Sequence, residues 1–166
     1  MPSGLFIVPA HLDGLAAKGV LDMVAEREAG GYLNVVTFHP HAPATRRVRL
    51  SGRHTVYELA PDALLNQSRV VKVIERLLYP YRLVSSLVRI ARRHRIDFIR
   101  GQDPYCMGAL AWVVSRLTGI PFSISIHSDY DQRYALDGSR GAPVLLGSRW
   151  LARRLETFLY KRADLI

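Results

Sequence analysis

With 166 residues, 49% apolar and 22% charged, the chain is long enough for one domain with a real core and excludes fibrous and disordered classes. A net charge of +9 favours an anionic partner, and a lone cysteine cannot form an internal disulfide, which points to a reducing compartment. Met1-Pro2-Ser3-Gly4 lacks a basic leader, and no apolar run approaches the roughly 20 residues that span a bilayer, so a cytoplasmic protein is expected.

Leu5 to Val8 form a first strand, apolar enough to be buried on both faces, and Pro9 ends it. Ala10 to Lys18 read as a loop holding His11, Asp13 and Gly14, and Gly19 leads into a helix through Val20, Leu21, Val24 and Ala25 that closes at Gly30-Gly31. Within this strand-to-helix connection Gly14, Lys18 and Gly19 suit an anion, because glycine admits backbone N–H groups and lysine adds a charge. There is no GxGxxG and no P-loop Lys-Ser/Thr pair, which argues against dinucleotide or ATP binding. Asn34 to Phe38 make a second strand, followed by the turn His39-Pro40-His41-Ala42-Pro43. His39 and His41 have no third ligand spaced with them, so no metal site is expected. Arg46 to Leu59 alternate around Ser51-Gly52 and read as two short strands or a hairpin.

Ser68 to Arg95 form a long helical stretch, which Pro80 should kink or break. Its inner face is Val70, Val73, Ile74, Leu77, Val84, Leu87, Val88 and Ala91. The other face is basic, with Arg69, Lys72, Arg76, Arg82, Arg89, Arg92, Arg93 and Arg95 opposed by Glu75. That face suits either solvent or an anionic membrane surface; no stacking motif or known module supports nucleic acid.

Phe98 and Ile99 open the next strand. Asp103-Pro104 should start a helix, since Asp caps well and Pro is favoured at the first helical position. Met107, Leu110, Ala111, Val114 and Leu117 give its apolar stripe, and Gly119 and Pro121 stop it. Cys106, in its first turn, reads as buried filler. Phe122, Ile124 and Ile126 form another strand, which delivers His127-Ser128-Asp129-Tyr130-Asp131. This strand-helix-strand unit is a right-handed crossover between parallel strands. Ligands bind beyond the carboxyl ends of such strands, so Gly101 to Tyr105 and His127 to Asp131 should line one crevice. Gln132 to Pro143 read as a mobile loop, and Ser148 caps a last helix through Trp150, Leu151, Leu155, Phe158 and Leu159. Ala163 to Ile166 begin what looks like a further strand, so the chain reads as a domain cut from a longer polypeptide. The expected fold is α/β, a Rossmann-like three-layer α/β/α domain with a mostly parallel sheet.

The residues from Asp97 to Ile166 resemble the amino-terminal half of family-4-type retaining glycosyltransferases of the GT-B architecture. DFIRGQDPY (97–105) is similar to that family's "DVIHAHDPY", LTGIPFSISIH (117–127) to its "LGIPLVVSIH", and the stretch from Leu155 to its "LE..LYRRADAII". Ala17 to Leu21 is similar to the first loop and helix of some members, while Arg100-Gly101-Gln102 departs from the family's His-Ala-His. The resemblance implies that residues 1–166 are one acceptor-side domain, and that a carboxyl-terminal donor-binding domain is not in this chain. It implies sugar transfer from a nucleotide-sugar donor to a glycan or lipid-linked acceptor, in bacterial surface or capsular polysaccharide synthesis. It assigns no cofactor, and the isolated domain is expected to be inactive. His127 falls where the family has a histidine touching the donor sugar, and a neutral imidazole there would hold a sugar hydroxyl. Gly14, Lys18 and Gly19 become a donor-phosphate loop. Asp103, Tyr105, Asp129, Tyr130, Asp131 and Arg133 become acceptor-binding residues, with Asp103 a helix cap first. The basic helix could then hold the protein peripherally on the inner membrane face. The competing reading is a stand-alone flavodoxin-like α/β module for an anionic ligand.

Overall fold

The computed structural model describes residues 3–10, 12–19, 32–38, 44–52, 54–60, 69–126, 129–138 and 148–165. The strands are β1 (Ser3–Val8), β2 (Tyr32–Phe38), β3 (Arg46–Arg49), β4 (Thr55–Leu59), β5 (Phe98–Gly101) and β6 (Phe122–Ile124). They form one sheet in the order β3-β4-β2-β1-β5-β6. All neighbours are parallel except β3, which closes the expected hairpin antiparallel to β4. Taken in chain order, the parallel strands stand third, second, first, fourth, fifth across the sheet. This is the Rossmann order. A flavodoxin-like sheet places the third strand beside the first; here it lies beside the second, so that alternative is corrected.

Between them run α1 (Leu12–Ala17), α2 (Arg69–Arg93), α3 (Cys106–Thr118), α4 (Tyr130–Asp137) and α5 (Arg149–Tyr160). The alternation of β1 sends Leu5 and Ile7 to one face and Phe6 and Val8 to the other. On the first face Leu5, Ile7 and Ile99 pack with Leu83, Leu87, Ile90 and Ala91 of α2 and Met107, Ala111 and Val114 of α3. On the second, Val8 packs with Leu12 and Val56, flanked by Phe6 and Val48. Helices α2 and α3 both cross the sheet in the same direction, so right-handed connections put them on one face, where they touch. Burial on both faces is the three-layer arrangement expected.

Several boundaries move. The stretch from residue 10 to 18 is not a loop throughout, because α1 occupies most of it. Helix α2 runs unbroken through Pro80. Pro80 is exposed, and a missing N–H costs least where water can serve the carbonyl it would have bonded. In α2, Leu87 and Ala91 are buried as expected and Val84 and Val88 half-buried, while Leu83 and Ile90 complete the face. The side chains of Val70, Val73, Ile74 and Leu77 lie outside the described residues. Helix α3 starts at Cys106, two residues later than the Pro104 start expected, yet the Asp103 carboxylate still receives the Tyr105 and Met107 N–H groups at 2.8 and 3.2 Å. Gly119 ends it in the left-handed conformation, φ 74°. Leu117, Ile126 and Cys106 are exposed rather than buried, since α3 turns Leu117 outward and β6 stops at Ile124. Residues 130–137 form α4 where a loop was expected, capped by Asp129.

Two glycines let α3 dock on the end of β5. A Cβ on Gly101 would stand 2.8 Å from the Gly108 Cα, and one on Gly108 would stand 2.6 Å from the Asp103 carbonyl oxygen. The helix start is thereby held against the strand end that carries the crevice.

Candidate functional site

The sheet reverses its winding between β1 and β5, and a ligand crevice in such a sheet forms beyond the carboxyl ends at that point. The segments leaving β1, β4, β5 and β6 build this rim. Gln102, just after β5, donates its N–H to the Ile7 carbonyl at 3.1 Å, which ties the two central strand ends together. Its Oε1 is buried and has no hydrogen-bond partner among the described residues.

Beside β1, the Glu58 carboxylate is fully buried at the end of β4. One oxygen receives the Leu12 N–H at 2.7 Å, the other the Arg46 Nε at 2.7 Å, and Arg46 Nη2 reaches Asp13 at 2.6 Å. Hydrogen bonds to Asp13 and then Glu58 raise the Arg46 pKa. A buried charge needs such partners. The network pins the first turn of α1 to the sheet. Neither Arg46 nor Glu58 was expected in a site, although the hairpin register makes them cross-strand partners.

Beyond β5, Tyr105 is 4% exposed and anchors a second network. Its hydroxyl accepts from Arg149 Nη1 at 2.9 Å and donates to Glu156 at 3.1 Å. Glu156 also accepts from the Tyr160 hydroxyl at 3.0 Å. Arg149 Nη2 pairs with Asp131 at 2.7 Å, and Arg153 reaches the other Asp131 oxygen at 3.3 Å. The Tyr130 ring stands edge-on to Tyr105, centroids 5.2 Å apart. Burial above all pushes the Tyr105 pKa up to about 12 and raises that of Tyr160, where the Glu156 carboxylate adds to it. Burial alone would lower the Arg149 pKa, but its bonds to Tyr105 and Asp131 raise it overall. The raised values keep the Tyr105 and Tyr160 phenols neutral beside two arginines and two carboxylates, a set suited to holding hydroxyl groups.

Of the expected acceptor residues, the structure brings Tyr105, Tyr130 and Asp131 together. Asp103 and Asp129 sit on the same rim and cap α3 and α4; Asp129 receives the Asp131 and Gln132 N–H groups, each at 3.0 Å. Arg133 is exposed on α4. His127 lies outside the described residues. The chain enters it from Ser125, whose N–H continues the β5 ladder to Gly101 at 3.0 Å and whose hydroxyl accepts from Arg100 Nε at 2.6 Å. The phosphate-loop geometry expected for Gly14, Lys18 and Gly19 is corrected. Gly14 lies inside α1, and Gly19 closes the helix with φ 66°, its N–H on the Ala16 carbonyl at 2.9 Å. A short helix closed by a left-handed glycine replaces the open turn. Arg149, Glu156 and Tyr160 were missed; a polar stripe on the last helix was the available signal. Among the described residues no three His, Cys, Asp or Glu side chains gather as a metal site; His39 and His41 lie outside them.

A family model for a glycosyl transferase 4-like domain matches residues 16–166. The chain belongs to that family. A crystal structure of MurG from Acinetobacter baumannii is similar at 14% identity over 86% of this chain, with a TM-score of 0.40. The chain spans 40% of that structure's length. Comparison with curated proteins gave no match. The glycosyl transferase 4-like domain thus carries its polar networks at the carboxyl rim of a Rossmann-type sheet.

Proposed function

We propose that this domain is the acceptor side of a cytoplasmic retaining glycosyltransferase that moves a sugar from a nucleotide-sugar donor to a glycan or lipid-linked acceptor. A second Rossmann-like domain would supply most donor contacts, and this half alone would be inactive. The observation that carries the reading is the network of Tyr105, Asp131, Arg149 and Glu156 at the strand ends of a chain in this family. A polyol offers donors and acceptors on every carbon, and a rim of phenol, carboxylate and guanidinium answers both. The buried Gln102 Oε1 adds an acceptor that a hydroxyl would satisfy.

In this mechanism the leaving nucleotide gains negative charge while the sugar ring gains positive charge. The rim would hold the acceptor hydroxyl on the same face of the sugar as the departing nucleotide, as retention in one displacement requires, and His127 would hold a donor-sugar hydroxyl. The setting in surface or capsular polysaccharide synthesis rests on the resemblance of residues 97–166 alone. The test is a panel of nucleotide sugars offered to the intact polypeptide with a mixed glycan and lipid-linked acceptor pool, read as nucleotide release and labelled product. Turnover with one donor, cut about 10²-fold or more by His127→Ala, is the expected result. Absence of transfer from every donor refutes the reading, and wild-type turnover in His127→Ala removes that residue from the site.

A further inference from the structure

Helix α2 carries a second stripe opposite the one that enters the core. Leu83, Leu87, Ile90 and Ala91 are buried. Leu78, Tyr81, Ser85, Arg89 and Arg92 recur at steps of three and four on the outward side. A helix face that merely meets water mixes charge signs and holds few large apolar groups. Here Leu78 is 42% and Tyr81 74% exposed, and residues 76–93 contain five arginines and no acidic residue. The last turn of α3 adds Leu117, 56% exposed. Between the two helices lies an open groove of about 780 Å³ with Tyr81, Val84, Val88 and Leu117 as its floor and Arg89 and Arg92 on its edge.

We propose that this groove docks the protein on an anionic phospholipid bilayer. The charge pattern selects that occupant. Guanidinium groups bind phosphate oxygens in pairs, and tyrosine suits the headgroup layer, with its apolar ring inward and its hydroxyl in water. A nucleic-acid backbone would meet the arginines but leave the aliphatic floor uncovered. The location fits as well. Helix α2 runs from the carboxyl end of β4 to the amino end of β5, so Arg92 lies at the sheet edge opposite the rim. A bilayer contacted there leaves the crevice open. None of the described helices is long and apolar enough to cross a membrane, so the contact is a surface one. The inference goes beyond the transferase reading and stands without it.

The experiment is co-sedimentation of the intact chain with vesicles of phosphatidylcholine alone or mixed with phosphatidylglycerol. Binding is expected for the anionic vesicles only. Each basic residue at an anionic surface strengthens partition roughly fivefold, so Arg89→Glu with Arg92→Glu should weaken it about 30-fold or more. Both side chains are exposed, so the variant keeps its fold, checked by circular dichroism. The same charge change on α5 and just beyond it, Arg154→Glu with Lys161→Glu, should cost much less. Tyr81→Ser should weaken binding to a degree that persists at high salt. Equal losses in the two charge-reversal pairs, no preference for anionic vesicles, or equal binding to soluble polyglutamate or RNA would each overturn the proposal.

Discussion

Replacing Gly101 by alanine tests whether the docking of α3 on the end of β5 is as tight as the distances say. The added Cβ would lie 2.8 Å from the Cα and N of Gly108 and from the carbonyl oxygen of Met107. An ordinary carbon contact is about 3.5–4.0 Å, so the methyl overlaps three atoms by most of an ångström. All three are backbone, and no side-chain rotation relieves them. Either α3 shifts off the strand or β5 bends, and overpacking of this kind costs about 1–3 kcal/mol. Alanine also restricts the unfolded chain, which returns about 0.4–1 kcal/mol. A net loss of about 1.3 kcal/mol remains. For a protein of this size each kcal/mol moves Tm by about 2–4 °C, so a fall of about 3–5 °C is expected by circular dichroism. Gly52→Ala is the control, since a Cβ there meets nothing within 4 Å. A Gly101→Ala protein that melts within about a degree of wild type would refute the close-docking argument.

Arg149→Met should lower stability by about 2 kcal/mol, because the Arg149 side chain is only 8% exposed and its loss takes a donor from Tyr105 and leaves Asp131 with only the more distant Arg153. In the proposed full-length transferase it should raise KM for acceptor and leave KM for donor unchanged; a uniform fall in kcat alone would contradict a role in acceptor placement. Glu58→Gln keeps the shape but loses the charge between Leu12 and Arg46, and should cost about 1–3 kcal/mol with faster amide exchange at Leu12; unchanged protection at Leu12 would count against the anchor. Burial first, then Arg47 and Arg93, lowers the pKa of His94 below its usual 6.5. A lowered folded pKa means the unfolded chain binds the proton more readily, so this stabilisation is full above about pH 6.5 and is lost as pH falls. Urea midpoints of wild type should therefore drop on acidification more steeply than those of His94→Gln; parallel curves would remove His94 as the cause.

The parts of this fold legible in the sequence are those where local chemistry and tertiary context agree. Leu5 to Val8 are uniformly apolar because a central parallel strand meets helices on both faces. Gly119 stops α3 where a left-handed residue is required. The β3–β4 hairpin followed from alternation around Ser51-Gly52. Failures occur where the two disagree. Leu117 continues the apolar spacing of α3 and yet is exposed, because that helix ends beyond the sheet it covers. Tyr130 to Asp137 look like a polar loop because α4 buries none of its residues. Its order comes from the Asp129 cap and the Asp131–Arg149 pair, the second of which spans residues far apart in sequence. The same holds for the site. The rim segment after β5 was readable from Asp103-Pro104-Tyr105, but Glu58, Arg149, Glu156 and Tyr160 acquire meaning only through partners brought in by topology.

These long-range pairs explain how a chain with a +9 charge can support a rim rich in carboxylates. Asp13, Glu58, Asp103, Asp129, Asp131 and Glu156 all lie there, and each is engaged in holding a segment. Glu58 and Asp13 secure α1 through Arg46. Asp103 and Asp129 order the starts of α3 and α4. Asp131 and Glu156 lock α4 to α5 through Arg149. Each network includes an arginine or a helix amino end that offsets part of its negative charge, while residues 76–93 of α2 hold five arginines and no acidic residue. A neutral polyhydroxyl acceptor would bring no charge of its own to desolvate at such a rim. An anionic surface would instead be drawn to the helix face. The two ends of the sheet thus differ in charge pattern, and under the proposed roles one would meet a sugar and the other a charged surface.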